Sequence, residues 1–141
     1  MIKEFRGKYF FLSNFYEAPV TWQGITYDNN ESAFQSAKVL DEKTRKSFAH
    51  LAPSMAKRKG RKVQLRYDWE KVKDDIMFEI CLAKFVQNED LRQKLLDTGN
   101  EYLEEGNTWG DTYWGTVNGK GKNKLGKTLM KVRECLKEEL K

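Results

Sequence analysis

One segment of this chain predicts a helix with polar side chains where core residues would be expected: Tyr27-Asp28-Asn29-Asn30-Glu31-Ser32-Ala33-Phe34-Gln35-Ser36-Ala37-Lys38. Asp28 followed three residues later by Glu31 has the spacing of a capping box, which predicts a helix that begins here. On that helix Glu31, Gln35 and Lys38 share one face, away from the apolar residues. This face is either ordinary solvated surface or, if the rest of the chain folds over it, the wall of a polar pocket.

Length and composition are those of one ordinary domain. The chain has 141 residues and a formal charge of +5, with acids and bases interspersed. This length is enough to bury a hydrophobic core. Only two prolines occur and no linker-like stretch interrupts the chain, so we expect a single domain over residues 1–141. The modest basic excess allows anionic partners without requiring them.

Several functional classes are disfavoured by what the sequence lacks. Charges begin at Lys3 and no apolar run follows, which predicts no membrane span, no secretion signal and a cytoplasmic protein. Cys81 and Cys135 fall within helical patterns and are expected to be structural thiols. With His50 as the single histidine, a metal site or a histidine-based triad is disfavoured. We predict no cofactor, and any catalysis falls to carboxylates, amides, lysines and aromatic rings.

The remaining elements follow from local patterns. The aromatic-rich stretch 5–15 predicts a strand or extended segment, in which Ser13-Asn14 is either a turn or a pair that points into a site. Gln23-Gly24, between two short β-patterned runs, predicts a hairpin. Helices are predicted over residues 38–50, 53–60 (closed by Gly60 as the residue after the helix), 73–86 and 90–96, and after Asn123, which would cap the last one.

Two segments have compositions suited to a binding site. The stretch 57–66 is the most basic of the chain and is either a solvated face or a phosphate contact through Arg58 or Lys57. The stretch 104–115 is rich in glycine and tryptophan and holds Glu105 and Asp111 among aromatic rings. Acids in such surroundings can have raised pKa values and can flank a flat ligand. The alternative is a loop that plugs the core with its acids outside.

Taken in order, these motifs resemble those of a known family. They are Phe11-Leu12-Ser13-Asn14-Phe15, Tyr27, Glu31-Ser32-Ala33-Phe34-Gln35-Ser36-Ala37-Lys38, Trp69, Met77, Lys84-Phe85, Thr98-Gly99, Glu105, Asp111, Trp114-Gly115, Asn123-Lys124-Leu125-Gly126, Leu129-Met130 and Arg133. The pattern is similar to the YbiA-like family, also called the NADAR (NAD and ADP-ribose associated) domain, and runs over nearly the whole chain.

The resemblance implies a fold and an activity. The implied fold is mainly α with a small antiparallel β element (α+β). The implied activity is that of an N-glycosidase, which hydrolyses the C–N ribosyl bond of ribosylamino intermediates of riboflavin synthesis or removes ADP-ribose from guanine in nucleic acid. The expected partners are therefore a small ribosyl phosphate or ADP-ribosyl substrate, and ADP-ribosylated nucleic acid. The sequence departs from the family pattern at Trp109-Gly110 and at Thr116-Val117-Asn118 with its basic turn, both expected at the rim of the site.

The chemistry assigns candidate roles to the matching residues. Ribosyl C–N cleavage passes through an oxocarbenium-like state, which needs negative charge near C1′, a base for water and an acid for the departing base. The catalytic candidates are Glu31, Asp111 and Lys38. The substrate-binding candidates, which supply hydrogen bonds, phosphate contacts and rings that stack on the base, are Asn14, Phe15, Gln35, Arg58, Trp69, Glu105, Trp114, Gly115 and Asn123. The alternative is a non-catalytic module that binds ADP-ribose, NAD or nucleic acid.

Overall fold

A computed structural model describes residues 1–139, which form two compact units. The hairpin unit comprises residues 14–88, and the terminal unit combines residues 1–13 with the chain from residue 89 onward. The hairpin unit contains β1 (Glu17–Trp22), β2 (Ile25–Asn29), α1 (Asn30–Ser36), α2 (Glu42–Lys46), α3 (Pro53–Gly60) and α4 (Trp69–Gln87). The terminal unit contains a 3₁₀ helix (Gly7–Leu12), α5 (Glu89–Asp97) and α6 (Lys124–Glu139). The predicted mainly α fold with a small antiparallel β element is confirmed, whereas one domain over residues 1–141 stays a prediction.

The hairpin is formed where the sequence predicts it. β1 and β2 pair antiparallel, with Trp22 opposite Ile25. Gln23 and Gly24 have positive φ values of 49° and 82°, the conformation that a two-residue hairpin turn requires. Alternate residues of β1 are buried, and that strand packs against α4.

Helix α1 begins one residue later than the capping-box pattern indicates. Asn29 is the N-cap, and its Oδ1 accepts a hydrogen bond from the Ser32 main-chain N–H at 2.8 Å. Asp28 lies in β2 instead, with its carboxylate 3.2 Å from Nδ1 of His50. The prediction of Asp28 as N-cap is therefore wrong. Because Asn29 supplies the cap, the Glu31 side chain is not needed for it.

The long helix α4 contributes several buried apolar side chains to the hairpin unit. It begins at Trp69, earlier than the predicted Lys73, and its buried side chains include Ile76, Ile80 and Phe85. Each side chain of this size stabilises the fold by about 1.5–3 kcal/mol when it is fully buried. The ring of Trp69 packs against Phe34 of α1, with 5.1 Å between ring centroids.

The helix predicted over residues 38–50 is much shorter in the structure. Asp41 caps α2 through the Thr44 N–H at 2.8 Å, so the helix cannot extend back to Lys38. Helix α3 begins at Pro53 as predicted and spans Pro53–Gly60. Gly60 is its last residue, not the residue after it, and does not have a positive φ.

The aromatic-rich N-terminal stretch forms a 3₁₀ helix, so the predicted strand is wrong. Phe11 and Leu12 are both buried although they are neighbours, whereas Phe10 is exposed. A strand would place neighbours on opposite faces. The residues just before it pair with the loop ahead of α6 instead: the Ile2 N–H donates to the Tyr102 carbonyl at 2.9 Å.

The core of the terminal unit lies between α5 and α6. The α6 residues at helical spacing, Leu125, Leu129, Val132 and Leu136, are buried, as are Leu91 and Leu95 of α5. The buried guanidinium of Arg133 donates to Thr98 Oγ1 and to the Glu101 carbonyl, both at 2.8 Å. Among residues 1–139, no helix has the length and apolar character that crossing a membrane requires.

Candidate active site

The polar face of α1 is covered by the C-terminal end of α3. Glu31 Oε2 accepts a hydrogen bond from Gln35 Nε2 at 3.2 Å. Lys38 Nζ donates to the Gly60 carbonyl at 3.3 Å. A Cβ placed on Gly60 would lie only 1.8 Å from Gln35 Oε1, so a larger residue there would displace the Gln35 amide. Gln35 is buried, whereas Glu31 and Lys38 are half-buried, so this face is partly covered, and its place in a polar pocket stays a prediction.

This covered position changes the electrostatics of Lys38. Burial lowers the pKa of the Lys38 amine, the Glu31 carboxylate raises it in part, and Arg61 and Lys73 lower it further. Glu31 itself is half-buried and carries its charge beside a buried amide. An acid, an amide and an amine thus share one partly desolvated face, where electrostatic interactions are stronger than in water.

Two buried acceptors in the hairpin unit have no donor within residues 1–139. They are Oε1 of Gln35 and Oδ1 of Asn30. A buried acceptor that receives no hydrogen bond costs about 1–3 kcal/mol. Both belong to α1, which makes this helix the most polar buried surface of the unit.

Asn14 points inward and is tied to the start of α1. Its Oδ1 accepts from Asn30 Nδ2 at 3.2 Å, its Nδ2 donates to the sulfur of Met77 at 3.4 Å, and its carbonyl accepts from the Glu31 N–H at 3.0 Å. Ser13 forms the turn that the sequence suggested, with its N–H on the Phe10 carbonyl. The turn is therefore confirmed at Ser13, and a place of Asn14 in the site stays a prediction.

A buried lysine that no candidate role covered lies in α4. Lys84 is 1% exposed, with its Nζ 5.6 Å from the ring centroid of Tyr16 and 5.1 Å from that of Phe85. Burial lowers the pKa of this amine to about 8, with a smaller opposing effect from Cys81. The spacing from Ile80 places Lys84 on the apolar stripe of the helix, and a lysine on such a stripe is the signal that identifies it.

The other candidates of the hairpin unit differ in exposure. Phe15 is exposed, with Lys57 Nζ 5.9 Å from its ring centroid. Arg58 is exposed on α3. Trp69 is only 5% exposed and packs on Phe34, which favours a packing role over stacking on a nucleobase.

In the terminal unit, main-chain groups hold the Asp111 carboxylate. Its Oδ1 accepts from the N–H groups of Tyr113 at 3.1 Å and Trp114 at 2.9 Å. The amide of Asn107 closes the same loop: its Oδ1 accepts from the Asp111 N–H at 3.1 Å, and its Nδ2 donates to the Asp111 carbonyl at 2.8 Å. Asp111 is therefore part of the architecture of this loop. Trp114 is half-buried with its ring edge-on to Tyr113 at 4.9 Å.

Glu105, Gly115 and Asn123 meet in this same loop. Asn123 Oδ1 accepts from the Glu105 N–H at 2.9 Å, and its Nδ2 donates to the Leu103 carbonyl at 2.9 Å. The prediction that the Asn123 side chain caps α6 is therefore wrong, because that side chain holds the preceding loop. A Cβ on Gly115 would lie 2.2 Å from the Glu105 carbonyl oxygen and 2.9 Å from Oε1 of its carboxylate.

The structure thus brings the predicted site residues together in two sets. Asn14, Glu31, Gln35 and Lys38 surround α1 in the hairpin unit, and Glu105, Asp111, Trp114, Gly115 and Asn123 form the loop of the terminal unit. Each set offers a carboxylate with amide groups beside it, which suits acid–base chemistry on a neutral or cationic centre. That Glu31 and Asp111 act on one substrate stays a prediction.

Known proteins with similar sequences agree with these features. A family model described as the NADAR domain matches residues 2–137. The chain is 43% identical over 129 residues to N-glycosidase YbiA of Shigella flexneri serotype 5b, a match that covers 89% of this chain and 80% of that protein. It is 35% identical over 132 residues to a riboflavin biosynthesis protein of Vibrio vulnificus, covering 91% of this chain and 36% of that one.

A solved structure is similar as well. The NMR structure of the E. coli protein YbiA matches with a TM-score of 0.85 and 39% identity, over 99% of this chain and 89% of that one. The predicted hydrolase of N-glycosidase type is confirmed by relatives that carry that name. The resemblance drawn from spaced motifs is also confirmed, since the family model spans nearly all of them. The chain belongs to the NADAR domain family.

Proposed function

We propose that this protein hydrolyses the C–N ribosyl bond of a phosphorylated ribosylamino or ADP-ribosyl substrate by carboxylate-assisted attack of water. The substrate is a riboflavin-pathway intermediate or an ADP-ribosyl-guanine. The names of the relatives, N-glycosidase and riboflavin biosynthesis protein, support this class of reaction. In the reaction the C1′–N bond breaks, its electron pair stays with the departing base, and water forms the new bond to C1′.

The observation that carries the proposal is the covered polar face of α1. The Glu31 carboxylate lies beside the Gln35 amide at 3.2 Å, on a face that also holds Lys38. A carboxylate in such a position can accept the proton of the attacking water or stabilise positive charge at C1′. The Gln35 amide orients it, and the Lys38 amine keeps it ionised or contacts a phosphate.

Asp111 is the second carboxylate of the proposed mechanism. Two main-chain N–H groups on Oδ1 fix the orientation of the carboxylate. A fixed carboxylate is suited to stabilising the oxocarbenium-like state electrostatically, because it needs no reorganisation during the reaction. We assign this role to Asp111 and the activation of water to Glu31.

The remaining polar groups are assigned to binding. Asn14 and Asn123 would hydrogen-bond the ribose, Arg58 would meet a phosphate, and Trp114 would stack on the base. Base stacking on an aromatic ring contributes about 1–3 kcal/mol. Lys84 joins the proposal because a buried amine with a pKa of about 8 is partly neutral near pH 7 and can therefore take part in proton transfer.

The test incubates the protein with ribosylaminopyrimidine phosphates, NAD, ADP-ribose and ADP-ribosylated DNA, and detects the released base by chromatography. Wild-type protein is expected to release a base from at least one of them, and Glu31→Gln is expected to release it about 10²–10⁴-fold more slowly. Glu42→Gln is the matched control, because Glu42 is an exposed acid on α2 paired only with Lys46 at 3.4 Å.

Two results would overturn the proposal. One is thermal stabilisation by these ligands without any product, which would indicate a binding module. The other is full activity of Glu31→Gln on every substrate that the wild type cleaves, which would leave the covered face without a catalytic role.

A further inference from the structure

Positive charge in the terminal unit is concentrated in one segment. Residues 112–133 contain Lys120, Lys122, Lys124, Lys127, Lys131 and Arg133 and no aspartate or glutamate. The stretch 57–66 of the hairpin unit is basic as well. The segment 112–133 is therefore the part of the terminal unit best suited to contact with an anionic partner.

Five lysines of this segment, four of them exposed and Lys124 half-buried, are called the lysine stripe (Lys120, Lys122, Lys124, Lys127 and Lys131). In α6 the spacing of Lys124, Lys127 and Lys131 places them on one helix face, opposite the buried leucines. Lys120 and Lys122 are exposed in the turn that leads into the helix. Cations at a helix N-terminus oppose the helix dipole, so the stability of α6 does not account for them.

The loop before this stripe carries an exposed indole. Trp109 is 55% exposed, and the guanidinium carbon of Arg6 is 5.9 Å from its ring centroid. Its loop is joined to the stripe at the backbone, because the Lys122 N–H donates to the Thr112 carbonyl at 2.8 Å. Within the same loop, Lys122 Nζ also lies 5.2 Å from the ring centroid of Tyr113.

A cavity of about 550 Å³ is lined by Arg6 and by Thr108, the residue before the exposed indole. Its wall also holds Lys3 and the carboxylates Glu4 and Glu104. Its volume falls within the range of small-molecule sites, about 300–1,000 Å³. Because cations and carboxylates share this wall, the charge of the cavity alone does not select an anion.

We propose that the lysine stripe and the Arg6–Trp109 pair form a binding surface for single-stranded nucleic acid within the terminal unit. The stripe follows the phosphates, and Trp109 stacks on an unpaired base, the combination by which single strands are bound without sequence preference. A duplex keeps its bases stacked on one another and offers none to the indole. The surface requires no ADP-ribose on the strand.

The experiment measures binding of a fluorescein-labelled oligothymidylate of about 15 nucleotides, a length near the upper site size of single-strand binding folds. Fluorescence anisotropy is recorded with the full chain over a range of salt concentrations. We expect log K to fall with log[salt] with a slope of about −2 to −3, because each phosphate contacted on a single strand contributes about −0.7. A duplex of the same length is expected to bind more weakly.

Two variants separate the charge from the stacking. In the combined variant Lys120→Gln, Lys122→Gln, Lys127→Gln and Lys131→Gln, the slope of log K against log[salt] is expected to be less than half of the wild-type slope. Trp109→Ala is expected to weaken binding about tenfold with the slope unchanged, consistent with the loss of one stacked base. Trp109→Phe should restore most of the affinity. The matched control Lys43→Gln, Lys46→Gln, Lys71→Gln and Lys94→Gln removes the same charge from exposed positions elsewhere and should bind as the wild type does.

Several outcomes would overturn the proposal. They are equal losses in the two four-lysine variants, no effect of Trp109→Ala, duplex binding as tight as single-strand binding, and inorganic polyphosphate competing as well as the oligothymidylate. The labelled strand carries no ribosyl substrate, so a failure here leaves the proposed hydrolysis untouched. Activity of the same variants on a ribosylamino substrate reports on that function separately.

Discussion

The two carboxylates of the proposed mechanism are held in opposite ways. Glu31 accepts a hydrogen bond from a side chain, the Gln35 amide one turn further along α1. Asp111 accepts from two main-chain N–H groups, those of Tyr113 and Trp114. A carboxylate bound by side chains can be changed while the backbone stays in place, whereas one bound by the main chain also maintains its loop. Substitutions at the two positions should therefore separate chemistry from architecture.

The largest effect is expected at Glu31. Glu31→Gln keeps the size of the side chain but removes the charge, so turnover should fall about 10²–10⁴-fold, the range for loss of a general base. Because Asn29 supplies the helix cap, the melting temperature should stay close to that of the wild type. Steady-state kinetics and thermal unfolding measure the two quantities on the same sample. If Glu31→Gln lost stability along with turnover, Glu31 would maintain the structure as Asp111 does, and the contrast between the two carboxylates would be wrong.

Lys84 should show the reverse pattern, a gain in stability with a loss of activity. Its pKa is lowered from 10.5 to about 8 in the folded state, so the charged amine destabilises the fold below pH 8 by up to about 3 kcal/mol. Lys84→Met is expected to raise the free energy of unfolding at pH 7 by a part of that amount, because methionine fills a similar space without charge.

The stability of the protein should depend on pH because of the Lys84 amine. Between the folded pKa of about 8 and the unfolded value of 10.5, the unfolded state holds more protons at Lys84, so the stability of the wild type rises with pH across that window. Lys84→Met should lack this rise, as measured by urea unfolding at several pH values. Equal pH profiles for the two proteins would mean that the amine is not desolvated.

The glycines of the two regions should respond differently to an added methyl group. A Cβ on Gly115 meets the Glu105 carbonyl at 2.2 Å, which is backbone, whereas one on Gly60 meets the end of the Gln35 side chain at 1.8 Å. Gly115→Ala is expected to destabilise the protein by about 1–3 kcal/mol. Gly60→Ala should affect stability less and activity more, because the Gln35 amide can move but then leaves Glu31. Chemical denaturation measures the stability of both variants, and steady-state kinetics measures their turnover.

The sequence predicted the helical region better than the loop, for a physical reason. Helical spacing placed Glu31 and Gln35 on one face, since side-chain direction in a helix follows from position, whereas Lys38 lies beyond the end of α1 at Ser36. The loop around Asp111 depends on main-chain conformations, such as the positive φ of Asn123 at 51°, and on Asn107 bonding residues four positions away. Periodicity carries no information on such bonds, which is why Asn123 was expected to cap α6.

Two further differences come from competition among local signals. Asp28 has the spacing of a capping box, but Asn29 lies next to the helix and is its N-cap. The aromatic residues before Asn14 have high strand propensity, yet the adjacent buried pair Phe11 and Leu12 fits a 3₁₀ turn. Strand propensity depends on the surroundings more than helix propensity does. In the sequence Lys84 is a lysine on an apolar helix stripe, but only the structure shows that it is buried and therefore a candidate for proton transfer.

The smallest effect is expected when the Asp111 charge is removed and its acceptor oxygen kept. Asp111→Asn should lower the free energy of unfolding by less than about 1 kcal/mol, and Asp111→Ala by about 1–2 kcal/mol, the usual range for loss of a side chain that accepts main-chain N–H groups. Denaturant unfolding of both variants measures the difference. If the two are equally destabilised, the charge and not the acceptor oxygen holds the loop.

The central claim is that Glu31 and Asp111 serve one reaction. The most direct measurement is kcat/KM for Glu31→Gln, Asp111→Asn and the double variant on a ribosylaminopyrimidine phosphate. Residues that act together in one transition state give strongly non-additive losses. We expect kcat/KM of the double variant to be about equal to that of the slower single variant. Two losses that multiply would show that the carboxylates act independently, and would contradict it.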